Sequence, residues 1–134
     1  MELNNVSVRI LVRKDYGACY DFYKDKIGLV PLYMDRNGPY TGFAIKEGEP
    51  ALFAIFAGKN TELFKGYESP GGNFQPDTIA LILHSNDLDK DYQRLAKAGV
   101  QFLGEPQYIE GWGMRCTYFR DPEGNLIELN DGGV

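Results

Sequence analysis

A shift of 71 residues lays the second half of the chain over the first without a gap through one strand and one helix. Gly28 falls on Gly99, Val12 on Leu83, Ile10 on Leu81, Val8 on Ile79 and Leu32 on Leu103. Identical residues are few, but the phase of the apolar positions and the helix-ending glycine agree. Such a repeat restricts the chain to folds that use one supersecondary unit twice, each copy covering apolar surface of the other.

The unit can be read from its first copy. Val6, Val8, Ile10 and Val12 alternate with Ser7, Arg9, Leu11 and Arg13, the period of a half-buried strand. Asp15 can cap a helix that carries Cys19, Phe22, Tyr23 and Ile27 at helical spacing, and Gly28 ends it. Three short strands are predicted next, over 29–35, 40–46 and 51–57. Their separators, Arg36-Asn37-Gly38-Pro39 and Glu47-Gly48-Glu49-Pro50, are strong turn signals. The unit is strand, helix, three strands.

In the second copy 78–83 is the strand, and Asp87 caps a helix carrying Leu88, Tyr92, Leu95 and Ala96 before Gly99. Strands are predicted over 100–103, 114–120 and 126–130. The last two flank Asp121-Pro122-Glu123-Gly124-Asn125, which is turn chemistry and makes them a hairpin. We therefore expect a single domain over 1–134, with a first βαβββ module at 1–57 and a second at 77–134. The stretch 58–76 has no clear period and reads as a connecting loop, with one helical turn at 61–64.

Charge and composition narrow the function. A net charge of −5 argues against nucleic acid, which requires basic patches, and is mildly permissive of a cationic ligand. No apolar run of 18 residues and no basic flank before an apolar segment occur, so neither a membrane span nor a signal peptide is expected. Cys19 and Cys116 do not make a disulfide framework and are expected reduced, in a cytoplasmic protein. No Gly-rich phosphate loop, Ser-His-Asp order or CxxC spacing is present.

Glu128 is the first functional candidate. Leu126, Glu128 and Asn130 share one face of the final strand and Ile127 and Leu129 the other, and a carboxylate there is out of place unless the face lines a pocket. It either binds a ligand cation or serves as a base, or it is simply paired with a neighbour. Trp112, with Tyr33, Tyr40, Phe43, Phe53, Phe56 and Tyr108, supplies rings for an apolar pocket, although any one of these alone is better read as core packing. Trp112 between Gly111 and Gly113 is the first choice for a ligand contact. His84 reads as an exposed or capping residue near the helix entrance rather than a metal ligand. Cys116 lacks a basic partner on its face and reads as inert. Asp89, Lys90 and Asp91 read as the solvent face of the second helix.

Asp15 followed by Phe22-Tyr23 and Ile27-Gly28-Leu29 resembles the first helix of the vicinal oxygen chelate superfamily of glyoxalases, bleomycin-resistance proteins and extradiol dioxygenases. Trp112-Gly113 leading into Asp121-Pro122-Glu123-Gly124-Asn125 and Ile127-Glu128-Leu129 resembles its C-terminal hairpin, and the likeness covers nearly the whole chain. The fold this implies is α+β: two tandem βαβββ modules forming a cupped mixed sheet, the glyoxalase/bleomycin-resistance fold. Metal-dependent members place four side chains in the cup, two His (or His and Gln) and two Glu, on the first and last strands of the modules. A divalent ion needs at least three such ligands in fixed geometry.

Carried over one residue at a time, the resemblance puts Ser7 at the first of these positions and Phe53 at or beside the second. Thr78 falls at the third, where the 71-residue shift also equates it with Ser7, and Glu128 at the fourth. One carboxylate does not hold a catalytic metal, so no metal and no cofactor are expected. Arg9 is expected to supply positive charge near Glu128 instead. The resemblance thus implies a small-molecule binder, a homodimer like similar proteins, that takes a partly aromatic or cationic ligand. Arg9, Thr78 and Glu128 would place its polar groups, and Phe53 and Trp112 would pack on it. The competing implication is a metal-dependent glyoxalase-like lyase or isomerase, or a dioxygenase-type enzyme.

Overall fold

Each α-helix begins on an aspartate and is followed by a glycine in the left-handed region. Asp15 accepts from the backbone N–H of Ala18 and Asp87 from that of Lys90, meeting donors that a first turn leaves open. Gly28 (φ +87°) and Gly99 (φ +96°) then let the chain reverse without a Cβ penalty. The computed structural model describes residues 1–33, 36–68 and 76–132.

Its strands are β1 (Leu3–Val12), β2 (Val30–Leu32), β3 (Tyr40–Ala44), β4 (Phe53–Ala57), β5 (Ile79–Ser85), β6 (Gln107–Ile109), β7 (Met114–Arg120) and β8 (Leu126–Asn130). Helix α1 (Tyr16–Asp21) runs into a π-helical turn (Phe22–Ile27), and α2 (Leu88–Lys97) follows β5. A 3₁₀ segment (Gly58–Leu63) overlaps the predicted helical turn at 61–64 and begins three residues earlier. Residues 34–35 of the predicted strand 29–35, residues 69–75 of the predicted connection and residues 133–134 lie outside the described residues. Among the described residues no helix is long and apolar enough to cross a membrane.

The architecture is α+β, with one eight-stranded mixed sheet in the order β2-β3-β4-β1-β5-β8-β7-β6. β1 is parallel to β4, β5 is parallel to β8, and the two halves meet where β1 and β5 pair antiparallel. The register of that seam carries the symmetry of the repeat. The 71-residue shift sends Arg9 to Ala80, and Ala80 is the residue Arg9 pairs with. The same shift turns the pair Val8–Leu81 into Ile79–Ile10. A local two-fold axis therefore passes between Arg9 and Ala80.

Alternation along the strands divides the side chains between two faces. On the cavity face, Leu11, Phe56, Phe64, Ala80, Ile82, Ile109, Cys116, Tyr118 and Leu126 form one buried cluster. On the helix face, Leu88 of α2 packs with Phe119 and Leu129, and Leu83, Leu95, Phe102 and Ile127 close around them. Under α1, Tyr20 and Tyr23 pack on Phe43, and Tyr23 also meets Phe53 edge-on. Between the helices Val6, Val8, Ile79 and Leu81 remain exposed around the local two-fold axis.

Two local expectations are corrected. The predicted strand 100–103 reaches the sheet only through an isolated bridge, Phe102 with Phe119, and the first strand of the second triplet is β6 instead. The chain leaves the ladder here because Leu103 and Gly104 lie against the preceding loop. A Cβ on Gly66 (φ +104°) would collide with the Leu103 carbonyl, and one on Gly104 would crowd the Lys65 carbonyl and the Phe64 ring. Pro106, without an N–H, then delays the ladder to Gln107. Asp91 is not on the solvent face of α2. It is buried, accepts the Ser85 hydroxyl at 2.6 Å, and takes the Glu2 backbone N–H on both oxygens at 3.0 Å, pinning the chain start to α2.

Asp77, just before β5, takes both terminal nitrogens of Arg120 at 2.9 Å and the Tyr67 hydroxyl at 2.6 Å. Burial opposes its charge, but hydrogen bonds from Arg120 and Tyr67, with Arg13 nearby, hold its carboxyl below the usual range. A depressed carboxyl stabilises the fold above the unfolded-state value of about 3.9 and loses that contribution as pH falls through the lower folded value. Asp77→Asn should therefore lower the unfolding free energy in urea by about 2 kcal/mol at neutral pH. The gap to wild type should close in acid below about pH 4; a gap that persists there would mean the charge is not what Arg120 reads.

Candidate functional site

Glu128 lies in the middle of β8, opposite Ile82 of β5 and Tyr118 of β7, and has no exposed surface. A carboxylate so placed must be fully hydrogen-bonded. Its Oε1 accepts from Arg9 Nη1 at 2.8 Å and the Tyr118 hydroxyl at 2.6 Å, and its Oε2 from Asn130 Nδ2 at 2.7 Å. Three strands of the sheet thus converge on one carboxylate.

Arg9 reaches it from β1, two strands away, across about 10 Å of sheet. The small side chain of Ala80 on the intervening β5 makes the crossing possible, and the other side of Arg9 is small as well. Arg9 pairs with Ala54 on one side and Ala80 on the other, and Gly42 stands beyond Ala54. The guanidinium carbon sits 5.3 Å from the Phe56 ring centre and 5.7 Å from that of Tyr40, within cation–π range of both. Burial pulls the guanidinium pKa down, but Glu128 and the hydroxyls of Tyr118 and Tyr40 more than reverse this and raise it. Tyr118 is pushed far up, first by burial and then by Glu128, so its phenol keeps its proton and donates. Burial likewise raises Tyr40 against the pull of Arg9.

A cavity of about 700 Å³ opens beside this pair, within the size range of small-molecule sites. Arg9, Ser7, Asn5 and His84 give its wall polar groups, and Tyr33, Tyr40, Phe56 and Trp112 give it rings. Trp112, in the turn between β6 and β7, meets Phe56 edge-on with centres 5.5 Å apart. His84 Nδ1 lies 2.8 Å from Asn130 Oδ1, and its Nε2 lies 3.5 Å from the Ser7 hydroxyl. A line of polar groups therefore runs from the cavity wall through His84 and Asn130 to Glu128.

Of the residues singled out from sequence, Arg9, Phe53 and Trp112 line the cavity, Glu128 lies behind Arg9 and bonded to it, and Thr78 is set apart. Thr78 is exposed and precedes β5, outside the cavity wall. The cause is the register. β1 and β5 run antiparallel about the Arg9–Ala80 pair, so Ser7 faces Ile82 and Thr78 is carried away to the Leu11 end. Phe53 borders the cavity, but it pairs with Phe43 and its ring packs on Tyr23 with centres 5.1 Å apart. Phe56, opposite Leu11, is the ring of β4 that faces inward.

Of the other rings, Phe43 is buried on the helix side and Tyr108 is mostly exposed on β6. His84, near the end of β5, is half-buried in the cavity wall instead of exposed or capping the helix. Counting by twos from Ala80 through Ile82 would have placed it there, and the same step from Glu128 finds Asn130. Cys116 is buried and free, and burial raises its thiol pKa, so it is no nucleophile.

The residues present do not suit a divalent metal ion. Among the described residues no three of His, Cys, Asp and Glu come together as a ligand set. The one carboxylate at the site spends both oxygens on protein donors, and a guanidinium stands against it.

A family model for the Glyoxalase/Bleomycin resistance protein/Dioxygenase superfamily matches residues 4–129. The chain is 27% identical over 124 residues to the uncharacterized protein YraH of Bacillus subtilis (strain 168), covering 92% of this chain and 94% of that protein. It is 36% identical over 72 residues to the metallothiol transferase FosB of Shouchella clausii (strain KSM-K16), covering 45% of this chain and 49% of that enzyme. In fold it is similar to a superfamily member from Vibrio splendidus 12B01, with a TM-score of 0.60 at 14% identity, covering 96% of this chain and 98% of that one. The extent of the family match and the shared fold lead to one assignment: this chain belongs to the Glyoxalase/Bleomycin resistance protein/Dioxygenase superfamily.

Proposed function

We propose that the chain binds a small, partly aromatic or cationic molecule in this cavity without a metal ion, holding the compound rather than converting it. One observation carries the reading: the Arg9 guanidinium lies 2.8 Å from Glu128, and with Tyr118 and Asn130 it uses up the carboxylate that an ion would need. The rings of Tyr33, Tyr40, Phe56 and Trp112 offer flat apolar contact, and their faces attract cationic groups. Two free cysteines fit a cytoplasmic setting. The second reading, a metal-dependent lyase, isomerase or dioxygenase-type enzyme, draws on the partial likeness to a metallothiol transferase.

The exposed apolar strip of Val6, Val8, Ile79 and Leu81 supports a homodimer. A second copy is the fitting occupant because the strip surrounds a local two-fold axis, and a surface with that symmetry can meet itself.

Trp112 is the only tryptophan, so its fluorescence reports on the cavity. Planar amines such as quinacrine should quench it saturably, equally well before and after exhaustive chelation, and Trp112→Ala should weaken binding measured by calorimetry about tenfold. Stoichiometric zinc or manganese in the purified protein, lost together with binding on chelation, would favour the enzyme.

Arg9→Met should cost about 3–5 kcal/mol in chemical denaturation by stranding Glu128, and Arg9→Met with Glu128→Leu should recover most of it. If the double variant were no better than the single, the pair would not be the structural unit proposed. Light scattering should give a dimer for the wild type and a folded monomer for Val8→Asp with Leu81→Asp; a wild-type monomer would remove the dimer.

A further inference from the structure

We infer that Nε2 of His84 is a hydrogen-bond acceptor of the cavity, locked in that form by Asn130 and Glu128, and that it receives an N–H or O–H donor of the bound molecule. The inference rests on the cavity-binding reading above and specifies the chemistry of its ligand.

The direction of each hydrogen bond follows from the groups themselves. Glu128 Oε2 accepts from the side chain of Asn130 at 2.7 Å, and only the amide nitrogen of Asn130 can supply that proton. The amide oxygen must then face the other way. There it meets the backbone N–H of Gly132 at 3.1 Å, which can only donate, so a second and independent contact orients the amide the same way. His84 Nδ1 approaches the same oxygen at 2.8 Å. An oxygen has no proton to offer, so Nδ1 carries one, and in a neutral imidazole the other nitrogen is bare. This is the tautomer that is less populated in a free histidine side chain.

The bare nitrogen is on the cavity side. Its nearest polar neighbour is the Ser7 hydroxyl at 3.5 Å, too far for more than a weak bond, and Ser7 is itself a wall residue. The charges nearby are already matched, because Arg9 and Glu128 neutralise one another. What the wall offers at His84 is therefore a lone pair without a competing formal charge. A phenol, an amine or a protonated amine satisfies it, whereas an ether or a carboxylate presents only lone pairs to it. The rings of Trp112 and Phe56 take the apolar part of the same molecule.

The chain has one histidine, so protein labelled with ¹⁵N-histidine gives a single pair of ring nitrogens. In the neutral ring the expected pattern is a protonated, pyrrole-type Nδ1 and a bare, pyridine-type Nε2. A proton on Nε2 of the neutral ring would overturn the inference. The second arm compares 2-naphthol with 2-methoxynaphthalene by calorimetry. The naphthol should bind about 3- to 10-fold more tightly, the worth of one hydrogen bond, and the preference should vanish in His84→Phe. Equal binding of the two probes to wild type would overturn the role of His84 and leave the cavity reading standing. Binding of neither would overturn both. If His84→Phe does not fold, the wild-type preference and the tautomer decide the matter.

Discussion

A carboxylate with no access to water governs the centre of this sheet. Buried without a partner, Glu128 would cost several kcal/mol or give up its charge. The surrounding residues are arranged to prevent both outcomes. Arg9 needs a clear path across β5, and Ala80, its partner there, leaves it one. Tyr118 must remain a donor, and its burial keeps the phenol protonated. Asn130 must point its nitrogen inward, which turns its oxygen toward His84 and Gly132. Replacing such a buried ion pair with apolar groups is often neutral for stability. What the pair contributes here is uniqueness: a one-residue slip of β1 against β5 would turn Arg9 to the helix face and strand Glu128.

The seam between β1 and β5 links that site to the outside of the molecule. The same antiparallel register that brings Arg9 over Ala80 puts Val8, Ile10, Ile79 and Leu81 on the reverse face about the same axis. The two faces therefore cannot be varied independently. An insertion in β1 that rescued packing on one side would break the ion pair on the other. The repeat is symmetric at this seam but not in its chemistry, since the axis relates a buried arginine to an alanine. That asymmetry is what leaves the guanidinium room, because a second long side chain at position 80 would occupy the space Arg9 crosses.

Local rules made most of the fold legible. Alternation gave β1, β7 and β8, the capping aspartates gave both helices, and Asp121 closes the last turn as its sequence suggests, accepting from the backbone of Glu123 and Asn125. The errors came where a distant contact overrode a local signal. The 100–103 segment has strand character but lies against the loop at Gly66, and Asp91 looks like surface charge until the chain start is seen to dock on it. At the site, the 71-residue shift correctly equated Ser7 with Thr78 as positions in the repeat, yet the antiparallel seam separates them in space. Sequence equivalence is not proximity. The residues that did enter the wall, His84 and Phe56, share parity with known wall positions, but parity became usable only once the sheet order was known.

The ion pair also decides what kind of selectivity the cavity can have. A ligand cation gains little from Glu128, because to reach it the cation would have to displace a guanidinium already bonded at 2.8 Å. Binding strength is left to the rings: covering roughly 200 Å² of apolar ligand surface is worth about 5 kcal/mol before the costs of immobilisation. A single neutral hydrogen bond adds about 1 kcal/mol. The first term sets whether anything binds and is nearly indifferent to which planar molecule it is. The second is small but directional, and it separates donors from acceptors of the same shape. On the proposed binding role, affinity from the aromatic wall and discrimination from one imidazole is a division suited to holding a class of compounds, whereas binding one of them tightly would require more than one such bond.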